Sequence, residues 1–150
     1  MHIALLIAVT VALSSPLISG SLVYDDHALI AENPLVTKPG VRFQQIFWEP
    51  FPNKGSSFRY QRPVTTSIYR LLHQDTSSRD TVLHIANILL HAFIGACSCF
   101  LINLYVNHQP SSFLATLFFA VMPGQAEAVL WISSLSELLV AGALFPNTYF

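Results

Sequence analysis

The stretch Thr81–Ala126, TVLHIANILLHAFIGACSCFLINLYVNHQPSSFLATLFFAVMPGQA, contains no Asp, Glu, Lys or Arg. A bilayer core takes about 20 apolar helical residues per crossing, so this run holds two crossings and a turn. Asn107-His108-Gln109-Pro110-Ser111-Ser112 carries the turn residues. That predicts one span over 82–106 and another over 113–126. Pro123-Gly124 breaks or bends the second span.

The same pattern extends in both directions. Residues 3–22 are uncharged and predict a span rich in Ser and Thr, with Pro16 near its end. A cleaved signal peptide is the other reading of this segment. It is disfavoured because no Lys or Arg precedes the apolar run. Residues 128–145, carrying Glu137, predict a fourth span. Composition agrees: 53% of the 150 residues are hydrophobic and 10% are charged, against roughly 25% charged in soluble domains. The expected fold is therefore an all-α multi-pass membrane protein, one membrane domain over 1–150 with about four transmembrane helices. A net charge of −1 leaves no basic footprint for nucleic acid. Cys97 and Cys99 sit inside the apolar run on different sides of a helix and read as packing residues.

All seven Lys and Arg lie between Ser21 and Asp80, in a long loop over 23–81. Pro34, Pro39, Pro50, Pro52 and Pro63 punctuate it. Val41 to Phe51 mixes Phe43, Ile46, Phe47, Trp48 and Phe51 with polar residues, which suits a helix lying in the headgroup layer. Pro63 opens a second helix through Ile68, Tyr69, Leu71 and Leu72. Counting crossings from span 3–22 gathers Asp25, Asp26, Arg62, His84 and Glu127 on one membrane face. The positive-inside rule would put this loop in the cytoplasm. That rule is weak for loops near 60 residues, and acidic residues nearly balance the basic ones here. The loop is read as extracytoplasmic.

The polar residues on that face are the candidate site. Asp25 and Asp26 repel each other, so one keeps a proton or recruits a divalent cation; a polar cap on a membrane helix is the plainer reading. Arg62 offers a planar fork for phosphate, or serves as a solvated loop charge. His84, Asn87 and His91, at i, i+3 and i+7, share one helix face. Such residues face a bundle interior or a water cavity, and hydrogen bonding between helices would satisfy them without chemistry. Asn is a poor zinc ligand, so no metal site is expected there. Glu127 follows the Pro123-Gly124 break, where an acid also complements a helix N-terminus.

Four pieces recur in a recognisable order: Tyr24-Asp25-Asp26 with Asn33-Pro34; Tyr60-Gln61-Arg62-Pro63; His84-Ile85-Ala86-Asn87 with His91; and Phe118 to Pro123 followed by Glu127 to Ser133. In these pieces the chain resembles the amino-terminal part of the GT-C glycosyltransferases. The likeness is to the transmembrane and tetratricopeptide repeat O-mannosyltransferases and their bacterial relatives, over about Ser19 to Phe145. The resemblance implies a partial GT-C fold whose first loop faces the lumen or periplasm. It implies transfer of a sugar, such as mannose, from a polyprenyl- or dolichyl-phosphate donor to a hydroxyl acceptor such as a protein Ser or Thr. Asp25 would be the general base, with Asp26 assisting by orienting the acceptor or a divalent cation. Arg62 and His84 would hold the donor phosphate, with Asn87, His91 and Glu127 as supporting polar groups. Membrane lipid would be a further partner, in a bacterial inner membrane or an endoplasmic reticulum membrane.

The chain departs from the family pattern at two places. Met122 stands where a His commonly precedes the proline, and Ser134-Leu135 stand where Gly-Arg is common. The family's enzymes also have more spans. The chain is therefore expected to be a fragment of such an enzyme, with a non-catalytic truncated membrane subunit or scaffold as the alternative.

Overall fold

A computed structural model describes residues 2–49, 61–73 and 79–144. Phe51, Tyr60 and Phe145, which bound predicted pieces of the chain, lie outside the described residues. Among the described residues every regular element is helical.

Helix α1 (His2–Ser14) runs into a 3-10 turn at Ser15–Ser19, with Pro16 in its first turn. Proline lacks the N–H that the α-helical ladder needs, so the helix tightens there. Gly20 is extended and ends the segment. Among the described residues of the loop, a π-helical turn (His27–Ala31) precedes three short helices: α2 (Pro34–Thr37), α3 (Phe43–Trp48) and α4 (Pro63–Leu72). Asn33 caps α2: its Oδ1 accepts from the Leu35 amide at 3.0 Å and its Nδ2 donates to Leu29 O at 3.1 Å. At the other end of α2, Arg70 Nη1 donates to Leu35 O, Val36 O and Lys38 O. These carbonyls have no helical partner, and the cation also favours the negative end of the helix. The predicted interfacial segment is helical over α3, which buries Ile46 and exposes Phe43, Phe47 and Trp48.

Helix α5 (Arg79–Val106) is the central element, packed against α1, α6, α7 and α8. Its buried face mixes polar residues with Leu83, Ile88, Ala92 and Ile94, and its outer face is apolar. His84, Asn87 and His91 are buried, while Ile85, Leu89, Phe93 and Phe100 are exposed. A lipid environment favours that arrangement, because it solvates apolar side chains and leaves polar ones to pair inside. His2–Ser19 and Asp80–Val106 are both long and apolar enough to cross a membrane.

The turn between the next helices is shorter than the sequence suggested. Asn107 takes a left-handed φ of 48°, and α6 (Gln109–Val121) begins directly after His108. The His108 ring accepts the Ser111 amide, and Pro110 fits the first helical turn. Ser111 and Ser112, predicted as turn, are thus helical. After Val121, Pro123 starts α7 (Pro123–Leu130), and the two helices are bent by 62°. The predicted span 113–126 is this bent pair. The predicted span 128–145 is interrupted: α7 ends at Leu130, a 3-10 turn covers Ile132–Ser134, and α8 (Leu135–Leu144) follows. Ile132–Leu144 is shorter than a crossing requires. By length and composition the described helices supply two spans, or three if the bent pair is one.

The loop is anchored over the first turns of α5. Leu22, Leu29, Ile30, Val36, Tyr69, Leu83, Ile132 and Leu135 form one buried apolar cluster. The candidate site sits on this cluster.

Candidate functional site

The break at Trp131–Ser134 explains how the site is built. A chain that leaves a helix exposes backbone groups that the helix would have paired, and buried ones must find other partners. Three separate elements supply them. Asn87 Nδ2 of α5 donates to Trp131 O at 2.9 Å. The Tyr69 hydroxyl of α4 donates to Ile132 O at 2.9 Å. Asp26 accepts the Ile132 amide at 3.3 Å and the Ser133 amide at 2.7 Å. Asp26 Oδ2 also accepts the Val23 amide at 3.1 Å, which ties the start of the loop to the same point.

The two carboxylates therefore occupy different environments. Asp26 is fully buried, with both oxygens engaged by amides, whereas Asp25 is exposed. Tyr24, just before them, adopts a left-handed φ of 50°. This turn lets Asp26 fold back toward Val23 while Asp25 points outward. The pair does not form a joint cation cage, because one member's oxygens already accept three N–H groups. Among the described residues no group of three or more His, Cys, Asp or Glu is placed to hold a metal.

Tyr69 feels the charges of both Asp26 and Arg62. Its hydroxyl is held well above the ordinary tyrosine value, first by burial and then by the negative charge of Asp26, with the Arg62 charge opposing. Arg62 is exposed ahead of α4, and its Nη1 donates to Ser136 Oγ at 3.2 Å. It lies at a groove of about 690 Å³ between α4 and α8, lined also by Thr65, Ser136, Glu137, Val140 and Leu144. It is one of the few polar groups on an otherwise mostly apolar trough.

The remaining predicted residues lie elsewhere. His84 is fully buried and does not line the groove. Its ring packs on the Gly20 backbone, where a Cβ would come within 2.9 Å of Nε2. Enclosed in this way, His84 is not placed to meet a lipid phosphate beside Arg62. Asn87 Nδ2 is engaged by the Trp131 carbonyl, while its buried Oδ1 accepts no protein hydrogen bond. His91 reaches Ala120 O of α6 at 3.5 Å and packs against Phe119, so it joins helices. Glu127 is exposed on α7 and does not line the groove. Sequence reasoning did not find Tyr69, Ser136 or Glu137 as site residues. Tyr69 reads in the sequence as one more apolar position of α4. Ser136 and Glu137 fall in the predicted span 128–145.

This geometry can be set beside known proteins. The chain is similar to protein O-mannosyl-transferases. It is 30% identical to human protein O-mannosyl-transferase TMTC3 over 124 residues, which cover 78% of this chain and 13% of the relative. A Caenorhabditis elegans protein O-mannosyl-transferase is 27% identical over 146 residues, 93% of this chain and 21% of the relative. Mouse TMTC4, named likewise, is 28% identical over 142 residues, 81% of this chain and 19% of the relative. The chain thus spans about an eighth to a fifth of the length of these relatives. No protein-family model matches it. No solved structure matches it.

Proposed function

We propose that this chain carries the acceptor-activating end of a multi-pass membrane glycosyltransferase, with its first loop on the extracytoplasmic side. The donor is a polyprenyl-phosphate sugar, mannose being the first candidate, and the acceptor is a hydroxyl such as that of a protein Ser or Thr. The observation that carries this reading is the division of labour within the acidic pair. A buried Asp26 clamps the loop to the Trp131–Ser134 break and leaves Asp25 in solvent as a free base. The named activity of the similar proteins supports the same direction.

The step assigns one role to each group. The acceptor oxygen attacks the anomeric carbon of the sugar and forms the new C–O bond. The bond from that carbon to the phosphate oxygen breaks, and its electron pair leaves with the polyprenyl phosphate. Asp25 takes the hydroxyl proton as attack proceeds, a contribution of about 10²–10⁴ in rate for a positioned base. Arg62 stabilises the charge that develops on the leaving phosphate. The apolar groove behind Arg62 accommodates the start of the prenyl chain, placing a wet head and a dry tail where the donor needs them.

The test is sugar transfer from a polyprenyl-phosphate mannose by the purified protein, wild type against Asp25→Asn. Transfer lost in the variant supports the reading. Wild-type protein that transfers nothing overturns it as stated and favours a non-catalytic membrane subunit.

A further inference from the structure

Tyr24 and Trp131 come from opposite ends of the described chain, yet their rings lie nearly parallel, 15° apart, with centroids 6.3 Å from each other. That is an offset stack by distance and angle. It is not a core contact. Tyr24 is 79% exposed, and Trp131 is half-buried. An exposed aromatic face is usually unremarkable, but these two are held in place. Tyr24 has a left-handed φ of 50°, a conformation costing about 1–2 kcal/mol for a residue with a Cβ. Such strain persists only where surrounding contacts over-determine it.

The contacts that do so hold the backbone beside both rings. The Asp26 carboxylate accepts the amide of Val23, next to Tyr24, and the amide of Ile132, next to Trp131. Asn87 fixes the Trp131 carbonyl from the other side. One buried side chain thus anchors the backbone beside both rings, and Asp25 follows Tyr24 directly with its exposed carboxylate. An aromatic belt residue at a membrane surface needs neither a strained backbone nor a fixed partner. A rigid aromatic face beside an open carboxylate matches a ligand with two chemistries: polarised C–H bonds on one side, which meet an electron-rich ring, and hydroxyls at its edge, which donate to a carboxylate. A pyranose has both.

We infer that Tyr24 and Trp131 form a carbohydrate-binding platform that takes the C–H face of a pyranose and presents its edge to Asp25. The substrate class rests on the glycosyltransfer reading above; the platform itself rests on the stacked pair and its clamp. It assigns Asp26 as the positioning residue for the platform and Asp25 as the group that meets the sugar.

The experiment uses the full chain in nanodiscs with Trp48→Phe, which leaves Trp131 as the sole tryptophan. Its emission is titrated with a polyprenyl-phosphate mannose and, separately, with the same polyprenyl phosphate lacking the sugar. The expected result is a change in Trp131 emission with the sugar-bearing lipid alone. Tyr24→Asn removes the ring while tolerating the left-handed backbone, and should weaken the sugar-dependent response about ten-fold, the scale of one lost aromatic contact. Binding of the sugar-free lipid, followed by its own displacement assay, should be unchanged. The same emission response to both lipids, no response to either, or an unaltered Tyr24→Asn titration overturns the platform. A sugar-dependent response without any transfer activity supports the platform while sinking the catalytic reading. Transfer with no sugar-dependent response does the reverse.

Discussion

Asp26 Oδ1 accepts the Ser133 amide at 2.7 Å, joining residues 107 positions apart in the chain. The bond is charge-assisted and buried, so it belongs to the stronger class of hydrogen bonds. It makes the second carboxylate of the acidic pair a piece of scaffold and leaves the first exposed.

Separate substitution of the two aspartates should therefore give opposite signatures. Asp26→Ala strands the amides of Val23, Ile132 and Ser133 and should cost about 2–4 kcal/mol, given about 1–3 kcal/mol for each buried group left unpaired and partial rehydration. Thermal unfolding in detergent should show a clear fall in Tm. Asp25→Asn should leave Tm in place and abolish transfer. Equal Tm losses for both would contradict the division described above.

Tyr69→Phe should lower stability by about 1–2 kcal/mol, because the buried Ile132 carbonyl loses its donor. It should also alter the alkaline limb of stability. The folded Tyr69 hydroxyl is raised above the ordinary value of about 10. Its contribution is complete below that unfolded value. It is lost progressively as pH rises from there toward the folded value, because only the unfolded chain then releases the proton. Unfolding free energy measured against pH above about 10 should fall less steeply in Tyr69→Phe than in wild type. Parallel slopes would sink this assignment.

Gly20→Ala places a methyl group 2.9 Å from His84 Nε2 and 3.0 Å from Leu17 O. Overpacking of this kind costs about 1–3 kcal/mol. Removing the ring relieves one of the two clashes, so the double variant Gly20→Ala/His84→Ala should be more stable than the sum of the single losses predicts. A double-mutant cycle in chemical or thermal unfolding measures the difference. Strict additivity would show that the ring and the glycine are not in contact.

Arg62 should matter to donor affinity more than to the fold. Arg62→Ala should raise KM for the polyprenyl-phosphate sugar about ten-fold, the loss expected of one charge-assisted contact. Arg62→Lys should recover only part, since an ammonium lacks the planar fork. An unchanged KM in Arg62→Ala would remove this residue from the donor site.

Much of the architecture was legible in the sequence because it is a matter of solvent. The charge-free run from Thr81 allowed α5 and α6 to be placed, since only long apolar helices satisfy their backbone in lipid. The spacing of His84, Asn87 and His91 put them on one inward face. Pro63 marked the first turn of α4. Less legible was where helices stop. His108 as a cap moved the start of α6, and the break at Trp131 split a predicted span, because side chains distant in sequence satisfy the freed backbone there.

The roles within the site divide along the same line. Local chemistry in the sequence marked out an acidic pair, an arginine and a polar helix face as the groups that need water or partners. Only the tertiary structure decided which carboxylate is free, that His84 is enclosed beneath Gly20, and that Tyr24 meets Trp131. The physical reason is that residue type and period set which groups seek water or lipid, whereas the partner of each buried polar group is chosen by packing. Asp26 and Asp25 are the same residue one position apart, and three backbone amides distinguish them.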